Sequence, residues 1–169
     1  MTESHCILAL LDDEPGVLDL VAALCRRRAF NIQSLRVSPA SEPGASRMTL
    51  VVEATEVGAR RVVAHLEKLI NIRTVDLLQS GDLARDLCLA RVTCGPAARP
   101  AVLQLAEVFR ARVVDLAADS LVLECTGNRT KVDRFIDVLR PFGLLDLGRS
   151  GAVAMARTAP SEGSLAASA

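Results

Sequence analysis

His5-Cys-Ile-Leu-Ala-Leu-Leu-Asp-Asp-Glu-Pro-Gly-Val-Leu-Asp-Leu-Val-Ala-Ala-Leu-Cys25 changes its hydrophobic period halfway along, and that change decides the fold. His5–Leu11 is an apolar run of strand length, after which Val17, Leu18, Val21, Leu24 and Cys25 recur at helical spacing. Between them, Asp13 is suited to cap the helix and Pro15 to sit in its first turn, where a missing N–H costs nothing. Gly16 leaves the backbone amides uncovered. Those amides, with the positive end of the helix dipole behind them, suit a small carboxylate. An acidic-Pro-Gly sequence is also how an ordinary helix begins, so the motif alone leaves both readings open.

Working outward, Phe30–Ser38 reads as a strand with Leu35 and Val37 on one face and Arg36 on the other. Ala40–Ser46 is turn-forming, and Met48–Glu53 alternates again, which predicts a hairpin with a flexible tip. Val62, Val63, Leu66, Leu69 and Ile70 form a second helical stripe, followed by a strand at Ile72–Leu78. The order is βαββαβ. Ser80–Arg85 interrupts it, and the order then restarts. Leu87–Thr93 reads as strand, and Pro100 opens a helix with Val102, Leu103, Ala106 and Phe109 on its apolar face. Arg112–Leu116 and Leu121–Cys125 form a second hairpin, Val132, Phe135, Ile136 and Leu139 a fourth helix, and Gly143–Gly148 a closing strand.

A unit repeated in this way predicts an α+β fold of two tandem ferredoxin-like βαββαβ domains, each with two helices on one face of a four-stranded antiparallel sheet. Residues 1–79 form the first domain, 80–85 a linker, 86–157 the second domain, and 158–169, rich in Ala and Ser, a flexible tail. The layout leaves one face of each apolar sheet bare. Dimerisation or docking between the units is therefore expected.

Composition excludes several functions. With 50% hydrophobic residues among 169, the chain has material for a true core. Its 20 basic and 20 acidic residues balance overall and within each half, so no electrostatic footprint for nucleic acid or an anionic membrane is present. No apolar run reaches the roughly 18–20 residues of a membrane span, and the start lacks a secretory segment, so a cytoplasmic protein is expected. The five cysteines (Cys6, Cys25, Cys88, Cys94, Cys125) are odd in number and lack Cys-x-x-Cys spacing, and they read as small buried hydrophobes.

Catalytic and metal chemistry find little material. The two histidines, His5 at a strand start and His65 on the outer side of a helix, have no acidic or cysteine partner at ligand spacing, which argues against a metal site. Asp12, Asp13 and Glu14 cluster before a helix, where acids complement the dipole more often than they transfer protons. An RNA-binding sheet needs stacking aromatics. There is no Trp or Tyr, and the four phenylalanines fall on helices or at strand entries. Arg26-Arg27-Arg28 fits the C-terminal end of the first helix better than a phosphate.

Glu14-Pro-Gly-Val-Leu18, Arg28-Ala-Phe-Asn-Ile-Gln-Ser-Leu35, Ser46-Arg-Met-Thr49, Lys68-Leu-Ile70, Phe109 through Asp115, Thr126-Gly127, Lys131-Val-Asp-Arg-Phe135, Pro141-Phe-Gly143 and Arg149-Ser-Gly151 together resemble the regulatory, or small, subunits of acetolactate synthase (acetohydroxyacid synthase). The resemblance runs from about residue 5 to 157. It implies an N-terminal ACT domain, the amino-acid-sensing version of this fold, followed by a second ferredoxin-like domain. It implies no catalysis and no cofactor on this chain. The partner would be the large catalytic subunit of branched-chain amino-acid biosynthesis, which would carry thiamine diphosphate, Mg and FAD. The small subunit would raise that subunit's activity and confer feedback inhibition by valine or a related amino acid. It would form a homodimer through ACT domains paired side by side, with effectors at the seam. By position, Gly16 and Val17 would present amides to the effector carboxylate, and Asn31 would contact it across the seam. Two positions depart from the family pattern: Asp13 stands where Asn is usual, and Ala29 where Gly is usual. A carboxylate at Asp13 receives an ammonium but repels the effector carboxylate. A free-standing amino-acid sensor and a structural activator without a sensor are the competing readings.

Overall fold

A computed structural model describes residues 2–79 and 81–157, so the tail expected at 158–169 lies outside the described residues. The first unit runs β1 (Glu3–Asp12), α1 (Val17–Arg27), β2 (Ile32–Pro39), β3 (Ala45–Ala54), α2 (Glu56–Leu66), β4 (Ile72–Leu77). The second runs β5 (Leu83–Thr93), α3 (Arg99–Phe109), β6 (Arg112–Leu116), β7 (Ser120–Gly127), α4 (Arg129–Leu139), a 3-10 turn (Arg140–Phe142) and β8 (Leu144–Arg149), followed by β9 (Val153–Met155). The sheets have the orders β2-β3-β1-β4 and β6-β7-β5-β8, with β9 pairing β5, and all pairs are antiparallel. This is the duplicated ferredoxin-like architecture expected from the hydrophobic period.

Each unit has its own core. In the first, Ile7, Met48, Leu50 and Val52 from the sheet meet Val21, Val62 and Leu66 from the helices, all with no exposed surface. Val92, Leu121, Leu123, Val132, Phe135 and Leu139 do the same in the second, where Phe135 and Phe109 pack with ring centroids 5.4 Å apart. The duplication extends to irregularities. An extra residue bulges from each hairpin, Gln33 opposite β3 and Val114 opposite β7. Ala29 and Arg110, at the ends of α1 and α3, are the two non-glycine residues with positive φ among the described residues (55° and 51°).

Several local expectations are corrected. Leu18 and Leu103, read as part of core stripes, are 42% and 39% exposed, because each lies at the margin of its helix's buried face. The second helix ends at Leu66, and Ile70 is 94% exposed in the turn beyond it. Of the proposed linker, residues 83–85 belong to β5, where they pair with β9. Cys6 is half-buried, while Cys25, Cys88, Cys94 and Cys125 are buried as expected. His65 is half-buried and packs against Phe30 at 6.4 Å.

The bare face of the first sheet meets the expected docking between units, whereas that of the second differs from the apolar face expected. On the first sheet, Cys6, Leu8 and Leu10 of β1 and Val51 of β3 point away from the helices, and the strand following β8 returns to lie against β1. On the second, Arg112 pairs with Glu124, and Arg91 stands opposite Asp146. Polar residues there alternate with Leu89 and Val122, so the face is mixed rather than apolar.

Candidate ligand-binding site

The loop from Asp12 to Gly16 leaves the central strand β1 and delivers the chain into α1. Gly16 is the N-cap, with φ 91°, a conformation that favours glycine, and no side chain caps the helix. The expected Asp13 cap does not form. Asp13 Oδ1 instead accepts from the Ser46 hydroxyl at 2.9 Å, and the Asp13 N–H donates to the Gly44 carbonyl at 3.1 Å, so Asp13 is turned toward the β2–β3 hairpin. Pro15 likewise lies in the turn before the helix rather than within it.

The first-turn amides are consequently available. The Val17 N–H makes a long 3.5 Å bond to the Glu14 carbonyl, and Leu20 bonds Gly16 at 3.1 Å. Among the described residues the N–H groups of Gly16, Leu18 and Asp19 have no acceptor. Gly16 is exposed, and a Cβ placed there would meet nothing within 4 Å. The cost of any side chain at this position is therefore conformational, and the space above the amides is open. The Val17 side chain, by contrast, is buried beneath the helix.

Arg73 of β4 fixes the loop's outer side. Its Nε donates to Asp12 Oδ1 at 2.8 Å, Nη1 to Glu42 Oε1 at 2.6 Å and Nη2 to the Gly44 carbonyl at 2.9 Å. The hydrogen bond to Asp12 is the leading reason its guanidinium pKa is raised, with the charge of Glu42 adding to it. One side chain thus ties β1, β4 and the hairpin tip together beside the amides. Nothing in the sequence marked Arg73 for this role, since its partners are 29 to 61 residues away.

Asn31 is exposed at the entry to β2, but it is not beside Gly16. Ile32 stands opposite Val52, itself opposite His5, whereas Pro39 stands opposite Ser46, itself opposite Leu11. Asn31 therefore lies at the far end of the sheet, about 23 Å along the strand from the Gly16 end at 3.3 Å per residue. Within one protomer the proposed contact set is split. β2 is the edge of its sheet, so its outer hydrogen-bonding side faces away from the other strands.

The corresponding corner of the second unit is built differently. At the start of α3, the Nη2 of Arg99 reaches the carbonyls of Cys94, Ala117 and Ala118 at 3.2, 2.9 and 2.7 Å. A guanidinium bound to the neighbouring loop occupies that corner. An open helix start beside a free sheet edge is thus a property of the first unit. Among the described residues no group of three or more His, Cys, Asp or Glu side chains is placed to hold a metal, and no helix is long and apolar enough to cross a membrane.

The fold is that of an ACT-type domain joined to a second ferredoxin-like domain. Residues 7–74 match the family described as the AHAS small subunit-like ACT domain, and residues 85–158 match that described as the small subunit of acetolactate synthase. A probable acetolactate synthase small subunit of Archaeoglobus fulgidus is 43% identical over 90% of this chain and 96% of its own length. The acetolactate synthase small subunit of Mycobacterium leprae is 41% identical over 91% and 92%. The crystal structure of the acetolactate synthase small subunit from Thermotoga maritima superposes with a TM-score of 0.84 at 30% identity, covering 94% of this chain and 99% of that one. The chain belongs to the acetolactate synthase small-subunit family, the regulatory, non-catalytic subunits of that enzyme.

Proposed function

We propose that this chain binds the thiamine-diphosphate-dependent catalytic subunit in the cytoplasm, raises its activity, and brings it under feedback control by valine or a related branched-chain amino acid. The observation that carries the sensing part is the open first turn of α1, whose Gly16, Leu18 and Asp19 amides lack an acceptor within the chain. A zwitterionic amino acid placed there sets its carboxylate against those amides and the helix dipole. Gly16 and Val17 form the carboxylate cradle, and Asp13 lies within reach of the ammonium.

A homodimer completes the set. Two β2 edges paired antiparallel about a two-fold axis bring the Asn31 end of one strand to the Pro39 end of the other, the end that carries Gly16. Asn31 of one protomer then reaches an effector held by the other, and the exposed edge strand is covered.

Gly16→Asp tests this arrangement. It places a carboxylate where the ligand carboxylate would sit and strains a residue at φ 91°. By isothermal calorimetry, valine binding to the wild-type chain is expected, with loss of about 1.5–3 kcal/mol or more in the variant, the range for hydrogen bonds to charged groups. Unchanged affinity would place the effector elsewhere.

A further inference from the structure

We propose that the cleft between the two domains is a second small-molecule site, one that takes a monocarboxylate with a short aliphatic body and is distinct from the first turn of α1. The cleft has a volume of about 500 Å³. That is within the size of ordinary ligand sites, which favour domain interfaces. One wall is the helix-free face of the first sheet, where Cys6 and Val51 stand opposite each other in register. The other is the start of β5 and the segment after β8, contributing Ala84 and Ala152. Burial pushes the Cys6 thiol up to about 11, so it stays neutral and serves as part of an apolar wall.

Three guanidiniums line this cavity, and they differ in what they already hold. Arg149 is committed: it donates to the buried Asp86 through Nε and Nη2 and to Asp133 through Nη1 at 2.7 Å. Arg129 is half committed. Its Nη1 donates to the neutral Gln33 side-chain carbonyl at 2.8 Å, and its Nε lies 3.7 Å from Asp133. Arg85 makes one hydrogen bond, to the Ala84 carbonyl at 2.9 Å, and no carboxylate among the described residues lies within 4 Å of it. A guanidinium without a counterion and a second shared between the neutral Gln33 amide and Asp133 line the cavity with aliphatic surface.

This charge pattern suits one carboxylate better than a phosphate. A phosphate dianion asks for several free cations or an open helix start. Here α4 is already capped by Asn128, whose side chain accepts from the Lys131 N–H at 2.9 Å. Among the described residues no aromatic ring lines the cleft to stack a base. A carboxylate instead pairs bidentately with Arg85, and an aliphatic body covers Val51, Ala84 and Ala152. Because the walls belong to different domains, the ligand would join them at the Gln33–Arg129 contact, where the β2 bulge turns Gln33 out of register.

Methyl NMR of the full chain tests the site, with isobutyrate as the probe and isobutyramide as its uncharged match. Isobutyrate is expected to shift the methyls of Val51, Ala84 and Ala152, with isobutyramide at least about tenfold weaker. Arg85→Gln should weaken isobutyrate binding by a similar factor, and Arg85→Lys should recover part of it while the spectrum stays that of the folded protein. Gly16→Asp should leave these shifts unchanged, which separates the cleft from the valine site. Equal binding of the amide, shifts confined to Val17 and Leu18, or no shifts up to about 10 mM isobutyrate would each overturn the proposal.

Discussion

The Ser46 hydroxyl donates to Asp13 Oδ1 at 2.9 Å, and this bond holds the carboxylate at the entrance to α1 on the hairpin side of the loop, away from the helix amides. The side chain that the sequence suggests as a cap is therefore not competing with a ligand for those donors. What remains is its charge, which acts through space on an effector carboxylate at those amides.

Asp13→Asn removes that charge and keeps an oxygen for Ser46. Valine inhibition of the reconstituted enzyme is expected to strengthen by about tenfold if about 1.4 kcal/mol of repulsion is relieved. Valine titration of wild-type and variant complexes at matched subunit concentrations measures it. Tighter inhibition of the wild type would show that Asp13 recruits the ammonium with greater effect than it repels the carboxylate.

Ala29 ends α1 with φ 55°, while the Phe30 N–H bonds the Cys25 carbonyl at 3.0 Å and closes the helix end. A Cβ is unfavourable in this left-handed conformation and glycine is at ease in it. Ala29→Gly is expected to stabilise the chain by about 1 kcal/mol, raising Tm by about 2–4 °C. Thermal unfolding followed by circular dichroism would show it; a lower Tm would mean that backbone entropy outweighs the relief of strain.

Ion pairs in the second domain should differ sharply in worth. Asp86 is 6% exposed and takes two donors from Arg149, whereas Arg112, which pairs with Glu124, is an exposed side chain. Asp86→Ala strands Arg149 with only Asp133 and should cost about 3 kcal/mol. Arg112→Ala should cost about 1 kcal/mol or less. Urea unfolding of the two variants decides the ranking, and equal losses would refute it.

Burial raises the Cys6 and Cys88 thiols to about 11 from an ordinary value of 9.0, and the buried Cys25 and Cys125 shift the same way. In the native chain Cys6 and Cys88 should then react with a disulfide reagent at pH 8 about a hundredfold slower than a free cysteine. All five should react once the chain is unfolded. The sign for stability follows from the protonated thiol being favoured in the fold. That contribution is complete below pH 9 and is lost as pH rises toward 11. A chain equally stable at pH 8.5 and pH 11 would contradict it.

The duplication and strand order were legible because both rest on hydrophobic period, which neighbouring residues carry locally. Val17, Val21, Leu24 and Cys25 read correctly as a buried face for that reason. Features that depend on distant partners were not legible. Arg73 gives no sign in sequence of joining Asp12, Glu42 and Gly44, and the three-residue β9 exists only through its pairing with β5. Asp13 was misread because its distant partner Ser46 outcompetes the local cap. Asn31 could not be placed near Gly16 by local rules, and within a single protomer the two stand at opposite ends of the sheet.

Regulation of a catalytic partner by this chain is read in the rate of acetolactate formation. The measurement compares the catalytic subunit alone, the chain alone, and the two together at saturating small subunit. No product is expected from the chain alone, a higher turnover is expected for the complex than for the catalytic subunit, and that turnover should fall when valine is added. Equal turnover with and without the chain, in a preparation where the two subunits co-purify, would contradict it.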